Sequence, residues 1–224
     1  MSLTLIGLFG MGFLLGLKHA FDADHIAAVS TIISKNKSTN ISKIGFFWGF
    51  GHTTALLAVG LAILLFKVAI PERLALSFEL VVGIMLVVLG LNLLIAMNKN
   101  KIHFHKHKHG KEEHIHFHSH LMTSNHNHYH RPLAIGLIHG LAGSAALTLL
   151  VLTTINSIFV GLTYILIFGI GSIVGMVLVS NIISLPFRLI TNNFDRMHKG
   201  LKLTTSLISL IMGIVILYQT ILIF

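Results

Sequence analysis

Apolar residues in this chain run in long blocks, and six blocks are long enough to cross a bilayer: about 3–33, 44–70, 74–97, 132–155, 158–187 and 201–224. A hydrocarbon layer roughly 30 Å thick needs about 20 such residues as helix, and lipid tolerates only backbone whose polar groups are satisfied internally. The pattern predicts an all-α integral membrane protein with six transmembrane helices. The first and fifth blocks exceed a straight span, which predicts tilt or a break within each. No basic residue precedes Lys18 and no small-residue cleavage site follows a short apolar core, so the first block is expected to be a span and not a secretory signal.

The polar connections set the expected orientation. Lys35, Lys37 and Lys43 follow the first block; Lys99, Lys101, Lys106, Lys108, Lys111 and Arg131 follow the third; Arg188, Arg196, Lys199 and Lys202 follow the fifth. Those connections share one side of a six-span chain and hold 13 of its 16 basic residues. Only Lys67 and Arg73 fall opposite. Basic loops stay in the cytoplasm, so a multi-pass protein of the cell membrane is expected, with N- and C-termini outside. The net charge of +9 is then a topology signal, with no nucleic acid among the partners. A charged fraction of 10%, against about 25% in soluble domains, excludes a soluble enzyme.

Two patches recur at one offset. Gly16-Leu17-Lys18-His19 falls on Gly136-Leu137-Ile138-His139, and Gly49-Phe50-Gly51 on Gly169-Ile170-Gly171, each 120 residues on. The chain is therefore divided into a first three-helix repeat (1–97), a connecting loop (98–131) and a second three-helix repeat (132–224). Three spans are an odd number, so the second copy would enter from the opposite side. Inverted repeats of this kind place a substrate site near the midplane, between the halves. Asp24, His25 and His52 correspond to Ser144, Ala145 and Ser172, so ligands would come mainly from the first half, joined by His139 and hydroxyl groups.

The chemistry concentrates in Lys18-His19-Ala20-Phe21-Asp22-Ala23-Asp24-His25, five ionisable residues inside an apolar block. A charge at a helix centre costs roughly 2.5–3.5 kcal/mol on insertion scales. A bound divalent cation compensates that cost, because carboxylates stay ionised and imidazoles neutral around it. The candidate ligands are His19, Asp22, Asp24, His25, His52 and His139. Counted at about 1.5 Å per residue, His25, His52 and His139 lie at similar depth, with His19 one or two turns deeper. At 100° per residue Asp24 lies about 160° from Asp22, so a regular helix cannot aim both at one ion. Either the span unwinds there or one aspartate has another task, such as pairing with Lys18. Taken alone, His139 is a hydrogen-bonded structural residue, the glycines serve close helix packing, and the Thr53 and Thr54 hydroxyls bond helix carbonyls. Asn181, amid Ser180 and Ser184, is a candidate pore-lining residue.

Cysteine is absent, which excludes disulfides, thiolate metal sites and thiol redox chemistry. Histidine is abundant instead. Eleven of the sixteen lie within 98–131, in three alternating runs: His103, His105, His107 and His109; His114, His116, His118 and His120; His126, His128 and His130. Such His-x-His runs read as accessory metal binding, weakened by protonation near pH 6.5. Few apolar residues accompany them, so the cytoplasmic His-rich loop is expected to be disordered.

The stretch Gly16 to Ala28, with His19, four residues, then Asp24-His25, resembles the signature of the nickel/cobalt transporter family. Phe47-Trp48-Gly49-Phe50-Gly51-His52-Thr53-Thr54 is similar to its second, Gly-His-Ser/Thr element. The segment from His139 to Leu147 resembles the fourth span of its shorter, urease-accessory branch. The resemblance implies secondary uptake of Ni²⁺ or Co²⁺, with His19, Asp24, His25 and His52 as selectivity ligands and no tightly bound cofactor. The implied partners are the divalent ion, the lipid bilayer and a cytoplasmic metallochaperone. Two other readings stay open: a nickel/cobalt efflux permease, and a membrane-bound nickel donor to metalloenzyme maturation.

Overall fold

A computed structural model describes residues 2–35, 40–67, 70–99, 105–109, 112–116, 130–142, 157–189 and 195–224. The helices are α1 (Ser2–His19), α2 (Ala23–Lys35), α3 (Ile41–Phe66), α4 (Glu72–Lys99), α5 (His130–Gly140), α6 (Ile158–Leu189) and α7 (Asp195–Ile223). Four of them, α3, α4, α6 and α7, are long and apolar enough to cross a membrane by themselves, and α1 with α2 makes a fifth candidate, bent by 52°. Large apolar side chains such as Ile211, Ile214, Ile221 and Leu222 are exposed, as a multi-pass membrane protein requires. The second half of the fourth apolar block, with Ser144 and Asn156, lies outside the described residues.

The break foreseen in the first block falls between His19 and Ala23. There the backbone tightens into three-residue turns, Phe21 N–H to the Lys18 carbonyl at 2.9 Å and Asp22 N–H to the His19 carbonyl at 3.1 Å. The fifth block shows no break. It is one helix of 32 residues that continues through Pro186, close enough to its end that few backbone bonds are lost. Lys67, at φ 52°, closes α3 by returning its N–H to the Ile63 carbonyl.

The expected disorder of the His-rich loop is corrected over the described part. Residues His105–His109 (β1) and Glu112–His116 (β2) pair antiparallel, with His105 opposite His116 and His107 opposite His114. The alternation of histidine with other residues already has the strand period, and pairing backbones need no buried face to begin a hairpin. His103, His118, His120, His126 and His128 lie outside the described residues, and His130 opens α5.

Helices pack across the halves more than within them. The main partnerships are α3 on α6, α4 on α7, α5 on α3 and α1 on α6, while α2 lies against α7, α6 and α4. Small residues bring these backbones together. A Cβ on Gly16 would overlap the Phe168 carbonyl oxygen, and one on Gly136 the Trp48 carbonyl oxygen. Likewise Gly51 abuts the Leu133 carbonyl and Gly171 the Phe13 carbonyl. Each pair of contacts maps onto the other by the 120-residue offset, and Gly83 faces Gly213 at an offset of 130. The buried core around these crossings includes Trp48, Met176, Ile44 and Leu86, with a second cluster of Leu56, Tyr164, Ile165 and Phe168.

Candidate metal centre

Four imidazoles from four helices meet in the interior. His19 ends α1, His25 stands in the first turn of α2, His52 lies on α3 and His139 on α5. His25 and His52 are fully buried and His19 and His139 nearly so. Ring centroids are 4.5 Å apart for His19 and His25, 5.0 Å for His19 and His52, and 4.6 Å for His25 and His139. Sequence reasoning placed His19 one or two turns deeper than the others. The break lets α1 stop at that level, so its last imidazole joins theirs.

The same break sets the nitrogens. In an unbroken helix the His19 carbonyl would be spent on the chain four residues on. Here it accepts from the Asp22 N–H and also from His25 Nδ1–H at 2.9 Å. That bond fixes the proton on Nδ1 of His25 and leaves Nε2 a bare lone pair, buried and without a partner. His19 Nδ1 donates to Asp22 Oδ2 at 2.8 Å, so its Nε2 carries a lone pair that accepts from His52 Nε2–H at 3.1 Å, which leaves His52 Nδ1 buried without a partner. His139 Nε2 donates to Asp24 Oδ2 at 3.2 Å, and its Nδ1 is buried without a partner.

Both aspartates therefore serve the cluster, from different sides. Asp22 sits in the turn and holds His19 rather than Lys18, with 44% of its side chain exposed. Asp24 stands in the first turn of α2, where helix N-termini favour negative charge. Its Oδ1 accepts from the His25 N–H at 2.9 Å while Oδ2 holds His139. Two groups can each bring three ligand atoms within 4.8 Å of one another: His19, His25 and His52, and Asp24, His25 and His139. His25 belongs to both. With the imidazoles neutral, the assembly carries a charge of −2 from its carboxylates.

Aromatic rings wall the cluster. Trp48 meets His25 edge-on at 5.3 Å and His139 at 6.0 Å, and Phe168 lies 5.7 Å from His19. Trp48 and Phe168 are themselves 120 residues apart, but neither carries a polarity signal to single it out. Hydroxyl groups lock the surrounding helices: Thr53 donates to the Gly169 carbonyl at 3.2 Å and Ser172 to the Gly16 carbonyl at 3.2 Å. Thr54 donates to the Phe50 carbonyl of its own helix. Asn181, offered as pore-lining, instead ties α6 to Ser42 of α3 at 3.1 Å. Sequence reasoning also passed over Glu79, a carboxylate within the third apolar block, although a charge there was itself a signal.

A family model described as high-affinity nickel-transport protein matches residues 5–223. The urease accessory protein UreH of Bacillus sp. (strain TB-90) is 39% identical over 219 residues, covering 97% of this chain and 93% of that one. Shorter stretches match the nickel transporter NixA of Staphylococcus aureus, 46% identical over 63 residues (25% of this chain, 19% of the relative). The cobalt transport protein NhlF of Rhodococcus rhodochrous is 39% identical over 64 residues (26% and 18%). No solved structure matches.

Proposed function

The chain belongs to the high-affinity nickel-transport protein family, one of transporters and not of enzymes, and from that premise we propose that it carries Ni²⁺, with Co²⁺ as second substrate, into the cell through the intramembrane histidine–aspartate cluster. The observation that carries this is the unpartnered Nε2 of fully buried His25, in one cluster with the unpartnered Nδ1 atoms of His52 and His139. A buried imidazole nitrogen with no donor in reach costs free energy, and a cation bound there repays it.

The spacing suits this ion class. Metal–nitrogen bonds of about 2.0–2.1 Å place two ligands at right angles roughly 2.9 Å apart, close to the 3.1 Å between His19 Nε2 and His52 Nε2; an ion would replace the hydrogen bond between them as the His52 proton moves to its unpartnered Nδ1. Right-angled nitrogen and oxygen ligands are the tetragonal preference of Ni²⁺. His19, His25, His52 and Asp24 are the ligands in this reading. His139 orients Asp24, and Asp22 orients His19, the outer-shell pairing that fixes an imidazole's tautomer. A charge of +2 cancels the −2 of the two carboxylates.

Inverted three-helix repeats are supported by the glycine contacts that recur at the 120-residue offset, and put the cluster between the halves. The Lys- and Arg-rich connections favour a cytoplasmic side for the His-rich loop, so in this reading both termini are outside and import runs toward that loop. No nucleotide-binding Gly-x₄-Gly-Lys-Ser/Thr loop is present in the sequence, and none is needed. A divalent ion crossing 100 mV gains roughly 4.6 kcal/mol, or about three decades of concentration. The name of the relative UreH, a urease accessory protein, favours a nickel enzyme as the destination, with a metallochaperone as the receiving partner and the histidine hairpin as accessory binder.

The test is ⁶³Ni uptake into proteoliposomes under an imposed potential, comparing wild type with His25→Ala and Asp24→Asn. Both variants are expected to lose uptake. Equal uptake by all three rejects the site, and potential-driven accumulation in the reverse sense alone rejects import.

A further inference from the structure

Beside the cluster, a cleft of about 280 Å³ is lined by Asp24, Glu79, Met212, Ile216, Gln219 and Thr220, among others. Asp24 belongs to the cluster already described; Glu79 does not. It lies on α4, seven residues past Glu72, so roughly 10 Å along the helix from its start. Gln219 and Thr220 lie within five residues of the end of α7. The cleft thus runs from Asp24 toward the membrane face where α4 begins and α7 ends.

Glu79 is half-buried and forms no ion pair or hydrogen bond among the described residues. An ionised carboxylate within an apolar span requires water or a counter-ion. The volume admits both: an inner shell of six waters fills roughly 180 Å³ at about 30 Å³ each. Asp24 lines the same cleft and reaches His139, whose Nδ1 is buried without a partner. Two carboxylates on one cavity whose other lining residues are neutral attract cations and repel anions.

We propose that this cleft is the aqueous vestibule by which a hydrated divalent cation reaches Asp24 from the membrane face at the end of α7, with Glu79 as the carboxylate that first captures it. The proposal rests on the cluster being a metal site. It adds a route, and a residue that selects by charge before ligand geometry selects among metals. Glu79 acts on the ion while its water shell is intact, and Asp24 as that shell is exchanged for imidazole.

The chain has no cysteine, so a single introduced thiol reports on the cleft. Met212→Cys is placed in the cleft, and Ile214→Cys, at a position 57% exposed on the outer surface of the bundle, is the lipid-facing control. Proteoliposomes receive a membrane-impermeant methanethiosulfonate, either cationic or anionic. The Met212→Cys thiol is expected to react, the cationic reagent about tenfold faster than the anionic one, and Ni²⁺ to slow it; the Ile214→Cys thiol stays unmodified. Adding Glu79→Gln reduces the charge preference to about twofold or less, whereas Glu79→Asp retains it. Should Met212→Cys fail to assemble, Gln219→Cys serves with the same expectation. A cleft thiol no more reactive than the Ile214→Cys thiol, or a preference unmoved by Glu79→Gln, overturns the vestibule. His25→Ala separates the two readings: it removes equilibrium ⁶³Ni binding and leaves the charge preference intact. That binding is measured with residues 101–130 deleted, so that the loop histidines do not contribute; if nickel still binds to His25→Ala there, the cluster reading fails while the labelling result still decides the vestibule.

Discussion

Gly16→Ala is a one-methyl perturbation aimed at the crossing of α1 and α6, three residues before His19. The added Cβ would overlap the Phe168 carbonyl oxygen, stand 2.9 Å from its carbon and 3.1 Å from the Ser172 nitrogen, where ordinary contact begins at 3.4 Å. All three obstacles are backbone, which cannot swing aside, so the helices must part by roughly 1 Å. Overpacking of this kind costs about 1–3 kcal/mol. The Ser172 hydroxyl bond to the Gly16 carbonyl, of a class worth about 0.6 kcal/mol in membranes, is lost with it. Because His19 rides on α1, a shift of that size also separates its Nε2 from His52, and misplacements near 1 Å cost on the order of a hundredfold in function. Purified protein in detergent is expected to show a lower unfolding temperature and ⁶³Ni affinity reduced at least tenfold. Gly7→Ala is the matched control on the same helix: nothing lies within 4 Å of its Cβ, and alanine is the better helix former by about 1 kcal/mol. It should bind nickel as wild type does. If Gly16→Ala matches Gly7→Ala in both measurements, the close crossing does not position the cluster.

Three further outcomes are expected. Asp22→Asn removes the carboxylate that holds His19 Nδ1 and should weaken ⁶³Ni binding about 10–100-fold without unfolding the protein; unchanged affinity would show that Asp22 does not orient a ligand. Trp48 is the one tryptophan of the chain and stands against His25 and His139. Its emission should therefore fall on titration with Ni²⁺ and not with Mg²⁺, and a flat titration places the ion elsewhere. Deleting residues 101–130 should leave most ⁶³Ni uptake in proteoliposomes; loss of uptake would favour the donor reading of the loop.

Much of this was legible in the chain because membranes impose a coarse rule, and the long apolar blocks obey it. The helix break was legible too, since Asp22 and Asp24 cannot share a regular helix face so near His19 and His25. The 120-residue recurrence brought His139 to notice, although a lone histidine usually means little. Trp48 and Phe168 were not legible as walls, nor Ser172 as a lock, because each acts through contacts with another helix, far beyond the reach of local periodicity. Local periodicity holds no trace of such partners. The hairpin escaped for the opposite reason: its period was visible and was discounted for want of a buried face. Glu79 was overlooked because one carboxylate in a block so rich in leucine and valine leaves the hydropathy almost unchanged.

The way α1 lies on α6 and α5 on α3 has a consequence for biosynthesis. About 150 residues of chain separate Gly16 from its seat at Phe168, and at 5–20 residues per second a ribosome needs roughly 8–30 s to deliver them. Throughout that interval His19, Asp22 and Asp24 sit in newly inserted helices with their shielding helix still unmade. The insertion machinery must therefore shelter a polar, half-finished cluster from lipid, and a gene split between the halves would have to be translated as two products at once to yield either one in stable form.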